Sequence, residues 1–275
     1  MRALITNDDG VHSVGIRTLA EVAARAGLEV TVAAPHQERS GSSAALSAVE
    51  ADGRLLMQRR PIDGLDSAEV FSVHASPALI AFVGARGAFG EPPDVLLSGI
   101  NHGPNTGSAI LHSGTVGAAL TASTQGLPAL AVSLATGSPT YWGTASQVAS
   151  QALTWFLAHV HQPCVLNINV PDIPVDRLRG LHPAALAAFG AVEAVIGERG
   201  QGYVNTTFKE VGAESEPGTD VALLHDGWAT ATVLQAPCAS TVIDLSSLHD
   251  GAPVPGKIQP AVAPPPVERE PGPRA

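Results

Sequence analysis

From its first residues the chain alternates short apolar runs with stretches of helical spacing. "RALIT" (2–6) is followed by Ile16, Leu19, Ala20 and Ala23 at helical intervals, and then by "LEVTVAAP" (28–35). Gly27 suits the helix stop and Pro35 closes the second run. The alternation returns along the chain. "SPALIAFVGARGAFG" (76–90), with Ser76 and Pro77 fitted to an N-cap and first helical position, precedes "PDVLLSGIN" (93–101). "SGTVGAALTASTQG" (113–126) precedes "PALAVSL" (128–134), and "GTASQVASQALTWFLAHVH" (143–161) precedes "CVLNINVP" (164–171). Short apolar runs joined by helices suit parallel strands with crossover connections. The expected fold is α/β, a Rossmann-like doubly wound and mostly parallel sheet with a less regular C-terminal extension.

Beyond residue 171 the pattern loosens. "GYVNTTFKEV" (202–211) alternates as a strand does, and "GTDVALLHDGWATATVL" (218–234) reads as a short helix, a turn and a strand. Residues 50–75 hold strand-like pieces without a strong pattern. Residues 252–275 are dense in proline, which forms no core element and reads as an extended tail. The expected organisation is one domain over 1–251, its core about 1–171 and its C-terminal part about 172–251, followed by the tail. Aromatics are only 4% of residues, so Ala, Val and Leu must build the core.

Charge narrows the partners. The net charge is −10, which disfavours a general coat for nucleic-acid polymers or an anionic membrane surface. Only Lys209 and Lys257 are lysines, so an anionic substrate needs a local device such as a bound cation. Cys164 and Cys238 lie in unrelated contexts and read as buried thiols. No run resembles a signal peptide or reaches the ~18 apolar residues of a membrane span. A cytoplasmic location is the expectation.

In open parallel sheets, sites form beyond the carboxyl ends of the strands. Three polar clusters each follow a predicted strand: Asn7-Asp8-Asp9-Gly10, Arg39-Ser40-Gly41-Ser42-Ser43, and Ser98-Gly99-Ile100-Asn101 with Gly103, Asn105 and Gly107. Asp8 and Asp9 crowd negative charge that a cation would relieve, though acids also suit a helix N-terminus or a solvated turn. Ser40-Gly41 can bring a hydroxyl near them or be an ordinary loop. In "GINHGPNTG" the asparagines offer amide oxygens to a hard cation, or build Asx-turns. Ser113, Gly114 and Thr115 open a helix whose free N–H groups suit an anion, and Ser113 also suits an N-cap. Two carboxylates, a hydroxyl and an amide oxygen form an all-oxygen set that favours Mg²⁺ or Mn²⁺ over zinc. A cation beside a helix N-terminus suggests phosphate chemistry. His12, His36, His102 and His112 lie near these loops, as acid–base candidates or as plain surface histidines. A GxGxxG fingerprint after the first strand, a Walker loop and a GxSxG elbow are all absent.

Taken together, "NDDG" (7–10) with Gly15, "APHQERSGSS" (34–43), "SGINHGPNTG" (98–107), "SGTVGAA" (113–119), "LPALAVSL" (127–134), "NINVP" (167–171) and "GTD" (218–220) resemble the SurE family of stationary-phase survival proteins, metal-dependent 5′(3′)-nucleotidases. The resemblance runs over about 1–235. It implies one divalent metal ion per subunit, Mg²⁺ or Mn²⁺, held by Asp8, Asp9, Ser40 and Asn101, with Asp8 and Asp9 catalytic. It implies a phosphate pocket lined by Asn105, Ser113, Gly114 and Thr115. The implied reaction is hydrolysis of nucleoside monophosphates by a metal-activated water. Homodimers or homotetramers that exchange a C-terminal region are implied as well. Val14, His112 and Ser108-Ala109 depart from the family pattern, at the pocket edges and not at the four ligands. A nucleotide sensor with little turnover, or a phosphatase for non-nucleotide esters, would use the same pocket.

Overall fold

The computed structural model describes residues 1–62, 64–65, 68–188, 192–210 and 216–235. The proline-rich tail, Cys238 and the end of the expected domain lie outside the described residues. In chain order the elements are β1 (Arg2–Thr6), α1 (Val14–Arg25), β2 (Glu29–Pro35), β3 (Glu50–Ala51), β4 (Arg54–Leu55), β5 (Met57–Arg59), β6 (Glu69–Val73), α2 (Pro77–Gly84) and β7 (Val95–His102). A 3₁₀ turn (Gly107–His112) leads into α3 (Gly114–Thr124). There follow β8 (Ala129–Leu134), α4 (Trp142–His159), β9 (Val165–Val170), β10 (Leu181–Pro183), β11 (Val192–Gly200), β12 (Tyr203–Glu210), α5 (Asp220–His225) and β13 (Ala229–Leu234).

One nine-stranded sheet has the order β10-β13-β9-β8-β7-β1-β2-β6-β5. From β6 to β9 every neighbour pairs in parallel, while β5 and β13 join antiparallel. The chain runs outward from β1 through β2 to β6, then returns to place β7 on the other side of β1. The gap between β1 and β7 is therefore the topological switch point, where doubly wound sheets open a crevice for ligands. The α/β expectation holds.

Alternate strand residues fill two cores. Ile5, Leu97, Leu130 and Ile168 face α1 and α4, packing on Ile16, Leu19, Val148 and Phe156. Leu4, Leu96, Ala131 and Val165 face α2 and α3, against Ile80, Val116 and Ala119. Burying each large aliphatic side chain contributes about 1.5–3 kcal/mol. Helix ends follow the sequence signals. Ser13, Ser76 and Ser113 accept the N–H groups of Ile16, Leu79 and Val116, and Gly27 takes φ +80° after α1. α1 lies very close to the end of β7. A Cβ on Gly15 would stand 1.9 Å from the Ile100 carbonyl oxygen, so only glycine fits there. This contact locks the start of α1 to the end of β7. β11 and β12 form an antiparallel hairpin in a sheet of their own. Among the described residues no helix is long and apolar enough to cross a membrane.

Candidate active site

Asn7 builds the first loop. Its Oδ1 accepts the Gly10 N–H at 3.2 Å, while its Nδ2 donates to the Gly10 carbonyl and to Ser13 Oγ at 3.1 and 2.7 Å. Gly10 takes φ +100°, which closes the turn tightly. Asp8 and Asp9 are thereby held at the switch point, Asp8 4% exposed and the Asp9 side chain 9%.

Helix α3 opens against Asp8. The Thr115 hydroxyl donates to Asp8 Oδ1, and the N–H groups of Gly114 and Thr115 also point at the carboxylate. A Cβ on Gly114 would lie 2.6 Å from Ser42 Oγ and 2.8 Å from Asp8 Oδ2, so glycine permits this approach. Burial raises the Asp8 carboxyl above its usual range, against the pull of these donors. Asp9 is pushed up to about 7, first by burial and then by repulsion from Asp8, with Glu38 adding to it and an N–H of His102 opposing. Asp9 Oδ2 is buried with no hydrogen-bond partner. Two crowded carboxylates, both resisting ionisation and one with an orphaned oxygen, fit a bound cation that would reverse both shifts.

The carboxyl end of β7 supplies Asn101. Its Nδ2 donates to the Gly103 carbonyl at 2.8 Å and the His102 carbonyl at 3.2 Å, leaving Oδ1 as the acceptor available to a cation. His102 Nδ1 lies 3.7 Å from Asp9 Oδ1, so the end of β7 and the acidic turn meet. The serine loop also comes to Asp8, through a 2.7 Å bond from the Arg39 N–H to the Asp8 carbonyl. Ser40 itself is exposed, and its hydroxyl donates to Glu38 Oε1 at 2.6 Å rather than facing the acids. The hydroxyl packed beside Asp8 is that of Ser42, buried and without a partner. Among the described residues no cluster of three or more His, Cys, Asp and Glu could hold a metal. A cation here would depend on two carboxylates and neutral oxygens, the set that suits Mg²⁺ or Mn²⁺.

Asn105 is placed differently from the expected pocket-lining role. Its Nδ2 donates to Ser133 Oγ at 2.8 Å, its N–H to Asn169 Oδ1 at 2.7 Å, and its carbonyl accepts from Asn167 and Asn169 at 2.9 Å each. Gly107 is held in turn by Asp220, whose buried carboxylate also accepts the N–H groups of Ala187 and Val221. Ser113 caps α3 through a 3.0 Å bond from the Val116 N–H. The loop 103–107 is thus pinned from below by β8, β9 and the start of α5. Sequence reasoning missed these anchors. Asn167 and Asn169 stand two apart in an otherwise apolar strand, a spacing that puts both on one face and could have revealed them.

Comparisons with known proteins identify the family. The family model described as "Survival protein SurE" matches residues 3–190. The 5′-nucleotidase SurE of Aeromonas hydrophila subsp. hydrophila is 34% identical over 238 residues, covering 85% of this chain and 92% of that protein. The 5′-nucleotidase SurE of Halorhodospira halophila is 36% identical over 242 residues, covering 86% and 92%. The 5′/3′-nucleotidase SurE of Escherichia coli O127:H6 is 34% identical over 243 residues, covering 85% and 90%. The crystal structure of the SurE protein from Aquifex aeolicus superposes with a TM-score of 0.72 at 28% identity, over 87% of this chain and 95% of that one. On a match that spans well over half its length, with relatives aligned along nearly all of theirs, the chain belongs to the SurE family.

Proposed function

We propose that the protein is a divalent-cation-dependent 5′-nucleotidase that hydrolyses nucleoside monophosphates to nucleoside and inorganic phosphate. The names of its relatives, 5′-nucleotidase and 5′/3′-nucleotidase, support the reaction. The observation that carries it is the buried pair Asp8 and Asp9, set against the first turn of α3 at the switch point.

Asp8, Asp9 and the Asn101 amide oxygen would hold one Mg²⁺ or Mn²⁺, with Ser40 joining once its hydroxyl leaves Glu38. When bound, the cation neutralises phosphoryl charge and lowers the pKa of a water. The protein's own groups position the rest. The N-terminus of α3 sets a partial positive charge beside the place where phosphoryl oxygens gather negative charge, while its first N–H groups, those of Gly114 and Thr115, are turned to Asp8. Thr115 and Gly114 hold Asp8 in one orientation. The pinned 103–107 loop fixes the facing wall. The oxygen of one water forms a new P–O bond as the ester P–O bond breaks, and a proton of that water goes to the leaving oxygen, giving nucleoside and inorganic phosphate. The family resemblance supports reading the protein as a cytoplasmic homodimer or homotetramer.

Phosphate release from AMP, GMP, glycerol phosphate and p-nitrophenyl phosphate, each with Mn²⁺ or Mg²⁺, tests the reading. Nucleoside monophosphates are expected to give the highest kcat/KM. Turnover of the other esters alone would make the protein a general phosphatase, and nucleotide binding without phosphate release would make it a sensor.

A further inference from the structure

Aromatic residues are scarce in this chain, yet two large rings sit partly open beside the acidic turn. The His102 ring, whose side chain is 36% exposed, lies 5.4 Å from the Trp142 ring, centre to centre, at 58° between planes. On its other side His102 Nδ1 is 3.7 Å from Asp9 Oδ1. Asp9, His102 and Trp142 therefore form a continuous row, from the carboxylate pair out along the rim of β7 to the start of α4. Tyr141, 39% exposed, precedes the tryptophan.

The turn that carries Tyr141 and Trp142 is clamped. The Thr140 N–H donates to both Asp172 oxygens at 3.1 Å, and the Tyr141 N–H donates to Asp172 Oδ1 at 2.7 Å. The Thr144 hydroxyl donates to the Ile173 carbonyl at 2.8 Å, tying the first turn of α4 to the exit of β9. Trp142 rests partly on the core side of α1 and α4. Its position is set before any ligand arrives, so a flat ring stacking on it meets little ordering cost.

We propose that His102 and Trp142 form a stacking corner for the nucleobase of the substrate, and that Trp142 is a specificity-determining residue. This deepens the nucleotidase reading and rests on it. A phosphate seated at Asp8, Asp9 and the start of α3 leaves the ester's leaving group pointing along the rim. The row from Asp9 to Trp142 offers it two partly exposed aromatic rings there. Bases stack on aromatic rings regardless of their hydrogen-bonding edges, so the corner favours nucleotides over base-free esters without strong choice among bases. A stacked base is worth about one to two powers of ten in affinity.

The test compares AMP with ribose 5-phosphate, which presents the same 5′-phosphate without a base, in the full chain with Mn²⁺. In Trp142→Ala the ratio of kcat/KM for AMP over ribose 5-phosphate is expected to fall about tenfold, chiefly through KM for AMP. Trp142→Phe, which keeps a ring, is expected to hold that ratio within about threefold. A ratio unchanged in Trp142→Ala, with both esters hydrolysed by the wild type, overturns the stacking corner and leaves the nucleotidase reading standing. A wild type that hydrolyses neither ester overturns both. Fluorescence gives a readout that does not depend on the alanine variant folding. The chain has three tryptophans, and the double variant Trp155→Phe, Trp228→Phe retains only Trp142. Adenosine is expected to quench the emission of that protein, and absence of quenching at saturating adenosine contradicts the proposal.

Discussion

The Thr115 hydroxyl donates to Asp8 Oδ1 across 107 residues of sequence, joining the start of α3 to the acidic turn after β1. Gly114 makes the approach possible, because its missing Cβ leaves room for Ser42 Oγ and the Asp8 carboxylate. Gly114→Ala is expected to cost about 1–3 kcal/mol of stability by overpacking. It should also displace Asp8 and lower kcat/KM far more than that loss of stability explains. Urea unfolding and steady-state kinetics on the same preparation check this. Wild-type kinetics in a destabilised variant would show that the contact matters for folding alone.

Asp9 ties cation binding to pH. Its carboxyl titrates near 7 in the folded, metal-free protein and at 3.8 as a free side chain. Its contribution to stability is therefore fully present below pH 3.8 and is lost as pH rises to about 7. Metal-free Asp9→Asn, which cannot ionise, should melt higher than metal-free wild type at pH 8, and the difference should shrink toward pH 4. Calorimetry at the two pH values decides it, and parallel melting curves would contradict the assigned cause.

A proton and a cation compete for the same carboxylate. The apparent affinity for Mn²⁺ is expected to weaken as pH falls below about 7, with proton release on binding near that pH. Titration calorimetry in buffers of different ionisation enthalpy measures the released protons. Binding with no proton release at pH 6.5 would place the cation elsewhere.

Asp220 accepts three backbone N–H groups, from Gly107, Ala187 and Val221. Asp220→Asn turns an amide N–H₂ toward at least one of these donors. It should lower stability by about 2–4 kcal/mol, the scale of losing a hydrogen bond to a charged group and leaving a buried donor unpaired. Activity at low temperature should fall as well, because Gly107 belongs to the loop beside the site. Urea denaturation checks the first effect, and equal stability of the two proteins would contradict it.

Much of the fold could be read from residue order alone, for a physical reason. The strands from β1 to β9 that pair in parallel are buried on both faces, so each appears as an apolar run, and three of the helices between them, α1, α2 and α3, carry a serine cap. Ser76 with Pro77, and Ser113 before Gly114, marked starts that the structure keeps. Residues 50–60 were opaque because strands of two or three residues hold no period to detect. β11 also escaped, since only its partner β12 alternates clearly. At the site, the two acids and Asn101 were legible from their place at the carboxyl ends of strands. The direction of the Ser40 hydroxyl was not, because Glu38 two residues away captures it. The burial of the Ser42 hydroxyl, the inward turn of Asn105 and the meeting of Trp142 with His102 depend on contacts between distant segments, which order along the chain does not encode.

If Asp8 and Asp9 hold the cation on which hydrolysis depends, phosphate release from AMP by metal-stripped protein, titrated with Mn²⁺ in wild type and in Asp9→Asn, shows it. Turnover is expected to be negligible without metal and to rise to saturation at one Mn²⁺ per chain in the wild type. In the variant a loss on the order of 10³ is expected, the several kcal/mol a bound cation supplies, with the folded circular dichroism spectrum retained. Equal turnover with and without metal, or near-wild-type turnover in Asp9→Asn, would contradict it.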